Sequence, residues 1–227
     1  MRTILLKLSG PLQSWGTESK QEIKGTDSHP SKSAIIGMIS AALGYTRDRT
    51  NDIKELNNLD FGVRVDKTGS VLKDFQMARS FKPKGDVDKP YLTYRYYLED
   101  AVFLVGISSQ DEGLLDRIYQ ALQRPYFQLS LGRKSCPINP DYLVGWYDGG
   151  VWDALTMTER LISDDSTTLV GYFDSHLVDD GFKKARFDRV DTNTPSYRKF
   201  LPRFETKKVV KKATNNTHDI ISFLERM

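Results

Sequence analysis

The sequence predicts an α+β fold, and three observations predict it. Short aromatic or branched runs alternate with two capped segments of helical spacing over roughly residues 2–132. Their order is strand, helix, strand, strand, helix, strand. A long polar stretch, residues 67–93, separates the second strand from the third. This order is that of a ferredoxin-like (RRM-like) sandwich. The expected organisation is a core over residues 1–136 with an insertion at about 67–93. A smaller β-rich C-terminal extension, residues 137–227, completes it.

Each element has its own justification. Residues 3–8, T-I-L-L-K-L, read as a mostly buried first strand. Residues 9–16, S-G-P-L-Q-S-W-G, are a loop punctuated by Gly-Pro and by Gly16, with Gln13 and Trp15 inside it. The strongest helix lies between Pro30 and Gly44, with Ser31 as N-cap and Ile35, Ile36, Ile39, Ala42 and Leu43 on one face. An added short helix is expected at 50–59. The second strand is 60–66, D-F-G-V-R-V-D, with Phe61, Val63 and Val65 on one face. The third strand is 94–108. A second amphipathic helix covers 111–123, with Leu114, Leu115, Ile118 and Leu122 aligned. The fourth strand is expected at the start of the stretch 125–137, P-Y-F-Q-L-S-L-G-R-K-S-C-P. Beyond it, residues 151–162 read as helix, and 167–174, 182–190 and part of 197–212 as strands.

Composition bounds the function. Hydrophobic residues make up 39% of 227, enough for a core and against global disorder. Cys136 is the single cysteine, which excludes an internal disulfide and a cysteine-rich metal site. No apolar run reaches membrane-spanning length, and Lys7 and Gly10 interrupt the N-terminus too early for a signal peptide. A cytoplasmic chain without cofactor, metal or membrane partner is the expectation. The charge is uneven: residues 182–227 hold 12 Lys or Arg against 5 Asp or Glu, although the whole chain is only +3. Such a basic region beside an acidic body suits either nucleic acid or a solubilising tail.

Several segments carry the residue types that nucleic acid needs. Gly132 permits close backbone approach, and Arg133, Lys134 and Ser135 follow it as a guanidinium fork, a point charge and a hydroxyl. The first turn of the 30–44 helix offers free N–H groups with Lys32 and Ser33, an arrangement that suits a phosphate. Trp15, on a loop, can stack a base or plug the sheet edge. Between Lys67 and Arg95 there are seven cations and three acids, interleaved with Phe75, Met77 and Phe81 and including Arg79. That pattern suits a finger laid on a strand of nucleic acid, or a solvated loop. The aromatic signature of an RRM is absent, so reading RNA across the sheet face is not expected.

Taken together, S-G-P-L-Q-S-W-G, P-S-K-S-A-I-I-G-M-I-S-A-A-L-G and R-Y-Y-L-E-D-A-V-F followed by L-G-R-K-S-C-P resemble the CasD subunit family of the type I-E CRISPR surveillance complex, Cascade. That family belongs to the RAMP superfamily of CRISPR-associated RNA-binding proteins. The resemblance covers roughly residues 3–137, and the C-terminal third departs from any matched pattern. It implies a ferredoxin-like RAMP core whose 67–93 insertion is a β-hairpin thumb. It implies a non-catalytic role in antiviral defence, capping the 5′ handle of the CRISPR RNA. The backbone and large subunits of Cascade, and target DNA within the complex, would be its partners. By the same resemblance Arg95 falls where the family presents an arginine to handle bases. Gln13, Trp15, Lys32, Ser33, Arg133, Lys134 and Ser135 fall in motif positions near the RNA.

A metal-independent endoribonuclease that processes repeat RNA is the alternative. It needs a general base and a general acid. His29, with Lys32 and with Tyr45 at the helix end, is the candidate trio.

Overall fold

The computed structural model describes residues 1–17, 22–79, 90–163, 168–179, 181–193 and 198–211. Phe81 and the rest of 80–89, the tip of the 67–93 insertion, lie outside the described residues. So do residues 212–227. The strands are β1 (Arg2–Ser9), β2 (Leu12–Gln13), β3 (Ile23–Lys24), β4 (Asp60–Lys67), β5 (Ser70–Ala78), β6 (Tyr91–Glu99), β7 (Val102–Ser108), β8 (Leu143–Asp148), β9 (Thr168–Asp174), β10 (Lys183–Asn193) and β11 (Arg198–Lys211). The helices are α1 (Lys32–Ala42), α2 (Thr50–Glu55), α3 (Glu112–Gln123) and α4 (Val151–Met157).

The fold is mixed α+β with mostly antiparallel sheets. Seven strands form the main sheet in the order β10-β11-β9-β4-β7-β1-β8, antiparallel at every pairing. β7 is buried along its whole length between β1 and β4. Alternation puts Phe61 and Val63 of β4 on one face with Ile4, Leu6 and Leu8 of β1. There they pack under α1 and α3. α1 starts where expected: Ser31 is its N-cap, accepting a hydrogen bond from the Ala34 N–H. α3 starts likewise at Asp111. The opposite face is covered by α4, which packs Val151, Ala154 and Leu155 on Leu5, Leu104 and Phe173. Under α4, Arg64 is fully buried, paired with Asp66 at 2.7 Å and donating to the carbonyls of Leu155, Thr158 and Glu159. A cation at the C-terminal end of a helix satisfies carbonyls that have no partner within it.

Two expectations need correction. First, 94–108 is not one strand. Asp100 takes a left-handed backbone, φ 54°, and there the chain leaves one sheet for another. β6 belongs to a small second sheet, paired with β2 and β3 on one side and with β5 on the other. β5 and β6 form an antiparallel ladder from Ser70↔Glu99 to Ala78↔Tyr91, so much of the polar insertion is strand rather than loop. Second, residues 126–131 are not the fourth strand. The Tyr126 and Phe127 N–H groups donate to the carbonyls of Ala42 and Ala41 at the end of α1, and only an isolated bridge, Ser130↔Pro137, remains. The strand beside β1 is β8, masked in the sequence by Gly145 at its centre. Residues 137–211 add strands to the same main sheet. β8 extends the main sheet at one edge, and β9, β11 and β10 extend it at the other. The 151–162 helix is real but shorter, ending at Met157.

Candidate nucleic-acid interface

The G-R-K-S turn is built by its glycine. Gly132 has φ 87°, and a Cβ there would overlap the Ser14 carbonyl oxygen. The Ser14 N–H donates to the Leu131 carbonyl at 3.0 Å, the Leu131 N–H to Cys136 and the Cys136 N–H to Arg133. The turn is thereby fastened to the S-G-P-L-Q-S-W-G loop, two segments more than a hundred residues apart.

Arg133 lies across the base of the β5–β6 hairpin. Its Nη2 donates to the Lys24 carbonyl at 2.8 Å, and its guanidinium lies 4.6 Å from the ring centroid of Tyr97 on β6. Nη1 of Arg133 is buried and without a hydrogen-bond partner among the described residues. Lys24 is opposite Arg95 in the β3–β6 pairing, and Arg95 is two residues from Tyr97, hence on the same face of β6. Lys24, Arg95 and Lys134 make no side-chain hydrogen bond or ion pair with another described residue. Lys134 and Ser135 are exposed, and Arg95 is half-buried. The structure thus gathers Arg95, Arg133, Lys134 and Ser135 and adds Lys24. Sequence reasoning missed Lys24 because a two-residue strand, I-K, carries no periodic signal.

Three expected contact residues are placed elsewhere. Trp15 is 1% exposed in the main core, and its indole N–H donates to the Gln13 amide oxygen at 3.0 Å. Gln13, 0% exposed, donates in turn to the Ala101 carbonyl at 2.7 Å. These side chains brace the loop and have no face left for a base. Lys32 is 5% exposed. Its Nζ donates to Asp174 and its backbone N–H to Asp188, both at 2.9 Å. The anion expected at the start of α1 is therefore the protein's own carboxylate. Ser33 stays half-buried beside the cap, 3.2 Å from the Ser31 hydroxyl.

That carboxylate belongs to a buried ionic cluster tying α1 to β9, β10 and β11. Arg203 donates to Asp188, Asp174 and Glu205 at 2.8–2.9 Å. Burial alone would lower the pKa of Arg203; the three carboxylates outweigh it and raise the pKa. Arg186 reaches Asp27 at 2.8 Å and contacts His29 and Glu205. His29 stacks on Tyr172, centroids 3.7 Å apart, with Nε2 3.2 Å from Glu205. Burial lowers the His29 pKa, with the Arg186 charge in the same direction, against the hydrogen bond to Glu205. Burial alone would raise the Glu205 pKa. The His29 hydrogen bond and the charges of Arg186 and Arg203 hold it down to about 2. Removing one partner from such a cluster strands a buried charge, at a cost of about 3–5 kcal/mol.

The alternative trio is not brought together. His29 is enclosed in this cluster at the start of α1. Tyr45 follows the other end of an 11-residue helix, about 16 Å long at 1.5 Å per residue, and packs against Arg49. On the hairpin, Phe75 and Met77 are exposed, as is Arg79, with the Phe75 ring 5.6 Å from that of Tyr94. Among the described residues no helix is long and apolar enough to cross a membrane.

Comparison with known proteins gives a consistent picture. The family model described as CRISPR-associated protein (Cas_Cas5) matches residues 3–170. The curated "CRISPR system Cascade subunit CasD" of Escherichia coli (strain K12) is 28% identical over 160 residues, which are 63% of this chain and 70% of that protein. A chain of a solved "CRISPR RNA-guided surveillance complex" superposes with a TM-score of 0.78 at 25% identity, covering 92% of this chain and 90% of that one. A structure described as "Crystal structure of Cas protein" superposes with a TM-score of 0.68 at 31% identity, covering 92% and 95%. The chain belongs to the CRISPR-associated Cas5 family, of which CasD is a member.

Proposed function

We propose that the chain is a non-catalytic subunit of a Cascade-type CRISPR surveillance complex and caps the 5′ handle of the CRISPR RNA. The observation that carries the reading is the fastening of the Gly132–Ser135 turn beside the hairpin base. It groups Lys24, Arg95, Arg133 and Lys134 on one surface with Ser135. Three cations with no side-chain hydrogen bond or ion pair to another described residue, an arginine held over Tyr97 and a neutral hydroxyl suit the phosphates and base edges of a single strand. The names of the relatives, a Cascade subunit and a surveillance complex, support the setting.

The revised division of labour follows from burial. Arg133, Lys134 and Ser135 hold phosphates and Arg95 meets splayed bases. Gln13, Trp15 and Lys32 act from below by fixing the loop and the helix start, and Ser33 belongs to that cap. The strand order β4-β7-β1-β8 with α1 and α3 on one face supports a ferredoxin-like core. The β5–β6 ladder supports a thumb that clamps over the RNA and presents Phe75, Met77 and Arg79 to the neighbouring backbone subunit. The large subunit and target DNA are the remaining partners in this reading.

The test is to incubate the chain with repeat-containing RNA in chelator and run native and denaturing gels. Intact RNA, retained on the native gel only when the handle is present, is the expected result. Discrete cleavage products, or equal retention of a strand with a scrambled 5′ end, would overturn the reading.

A further inference from the structure

We propose that the outer face of the β10–β11 ribbon is a second platform for single-stranded nucleic acid, made of residues other than those of the G-R-K-S turn and independent of the handle reading. Alternation explains the ribbon's two faces. Arg186, Asp188, Arg203 and Glu205 point into the buried ionic cluster. Between them Phe187 and Phe204 point outward, 58% and 54% exposed. Phe61, Phe103 and Phe173 are completely buried, whereas these two rings stand in water, as Phe75, Phe127 and Phe182 do elsewhere, and here they join the exposed Leu201 in one patch. Such exposure of large apolar groups marks a surface made for contact.

The register sets the spacing. Ala185 is opposite Phe204 and Phe187 is opposite Pro202, so Phe187 and Phe204 occupy diagonal positions on adjacent strands, backbone sites about 7–8 Å apart. Paired aromatic rings on adjacent strands are the means by which an open sheet stacks successive bases. The outward positions 183, 185, 187, 189, 201, 202 and 204 include Lys183 and Arg189 and no carboxylate. That charge favours a polyanion over an acid-bearing or neutral protein surface.

A second feature adjoins the rings. A cavity of about 460 Å³ opens beside Phe204; its charged lining is of both signs, Lys32, Arg189 and Arg203 with Asp60 and Asp174, and Asn58 and His176 complete its polar wall. His176 is exposed and held by Asp60 at 2.7 Å, and Asn58 is exposed. The cavity has room for a base turned off the stack, with an amide and an imidazole to meet its edge.

The test is a fluorescence-anisotropy titration of a labelled oligo-dT of about 12 nucleotides with the full chain. Lys24→Ala/Arg95→Ala/Arg133→Ala/Lys134→Ala is the common background, so that the cations of the turn and hairpin base contribute nothing. Phe187→Leu/Phe204→Leu should weaken binding at least about tenfold, since leucine keeps the apolar surface and loses the stacking face. Phe187→Tyr/Phe204→Tyr should keep affinity within about twofold, because the stacking face survives. Full affinity in the leucine variant, or no binding by the background protein, would overturn the platform. If the handle reading alone is wrong, the background substitutions leave handle RNA binding unchanged and the ribbon result still stands.

Discussion

Gly132 shows how much one residue decides. Its position after L-S-L and before two cations points to a turn, and its φ of 87° against the Ser14 carbonyl supplies the reason. Alanine there must displace Ser14 or flip the turn, at a cost of about 1–3 kcal/mol. Gly132→Ala should therefore lower the thermal midpoint and weaken handle RNA binding together. An unchanged midpoint with unchanged binding would mean that the turn tolerates a side chain. Trp15 is not legible in the same way. A tryptophan on a Gly-Pro loop can face either way, and its burial depends on Gln13 reaching Ala101, 88 residues distant. Lys32 misleads for a related reason. Its anionic partners, Asp174 and Asp188, come from strands far along the chain, and local spacing carries no trace of them.

At the scale of elements, capped helices with apolar spacing are legible, and α1 and α3 begin at the expected caps. Strands are less so, because an aromatic run says nothing about which backbone groups will pair. Y-F-Q-L-S-L resembles a strand, yet its first amides satisfy the last carbonyls of α1. L-V-G-W-Y-D is a strand in spite of its glycine. The C-terminal strands are visible in the sequence, but their place is hidden because sheet order is set by long-range pairing. They join β4 through β9 and are locked to α1 by the ionic cluster. That junction predicts a pH dependence. His29 is neutral in the fold with its pKa below the ordinary 6.5, whereas the unfolded chain takes up the proton. Stability is thus full above pH 6.5 and falls as pH drops below it, by at most about 1.4 kcal/mol per pH unit for this one group. Glu205, held at about 2 against an ordinary 4.5, adds a further loss below pH 4.5. Urea midpoints between pH 7.5 and 5 should fall for the parent and fall less for His29→Gln. Equal slopes for the two proteins would show that His29 does not carry the effect.

For the whole molecule, the basic surface and the motif series are legible before the assembly is. Composition and spacing locate the turn, the hairpin and the C-terminal charge, and the fold then separates the accessible residues of the motifs from the buried ones. In the proposed function the grip is a matter of a few cations on a rigid frame, with the buried cluster holding that frame together. The salt dependence of handle RNA binding tests this most directly. Each phosphate left without its cation should remove about 0.7 from the slope of log affinity against log salt. Arg133→Ala/Lys134→Ala should bind more weakly and flatten the slope by about 1.4. A slope identical to that of the parent chain would contradict the account, because it would mean that neither cation meets a phosphate.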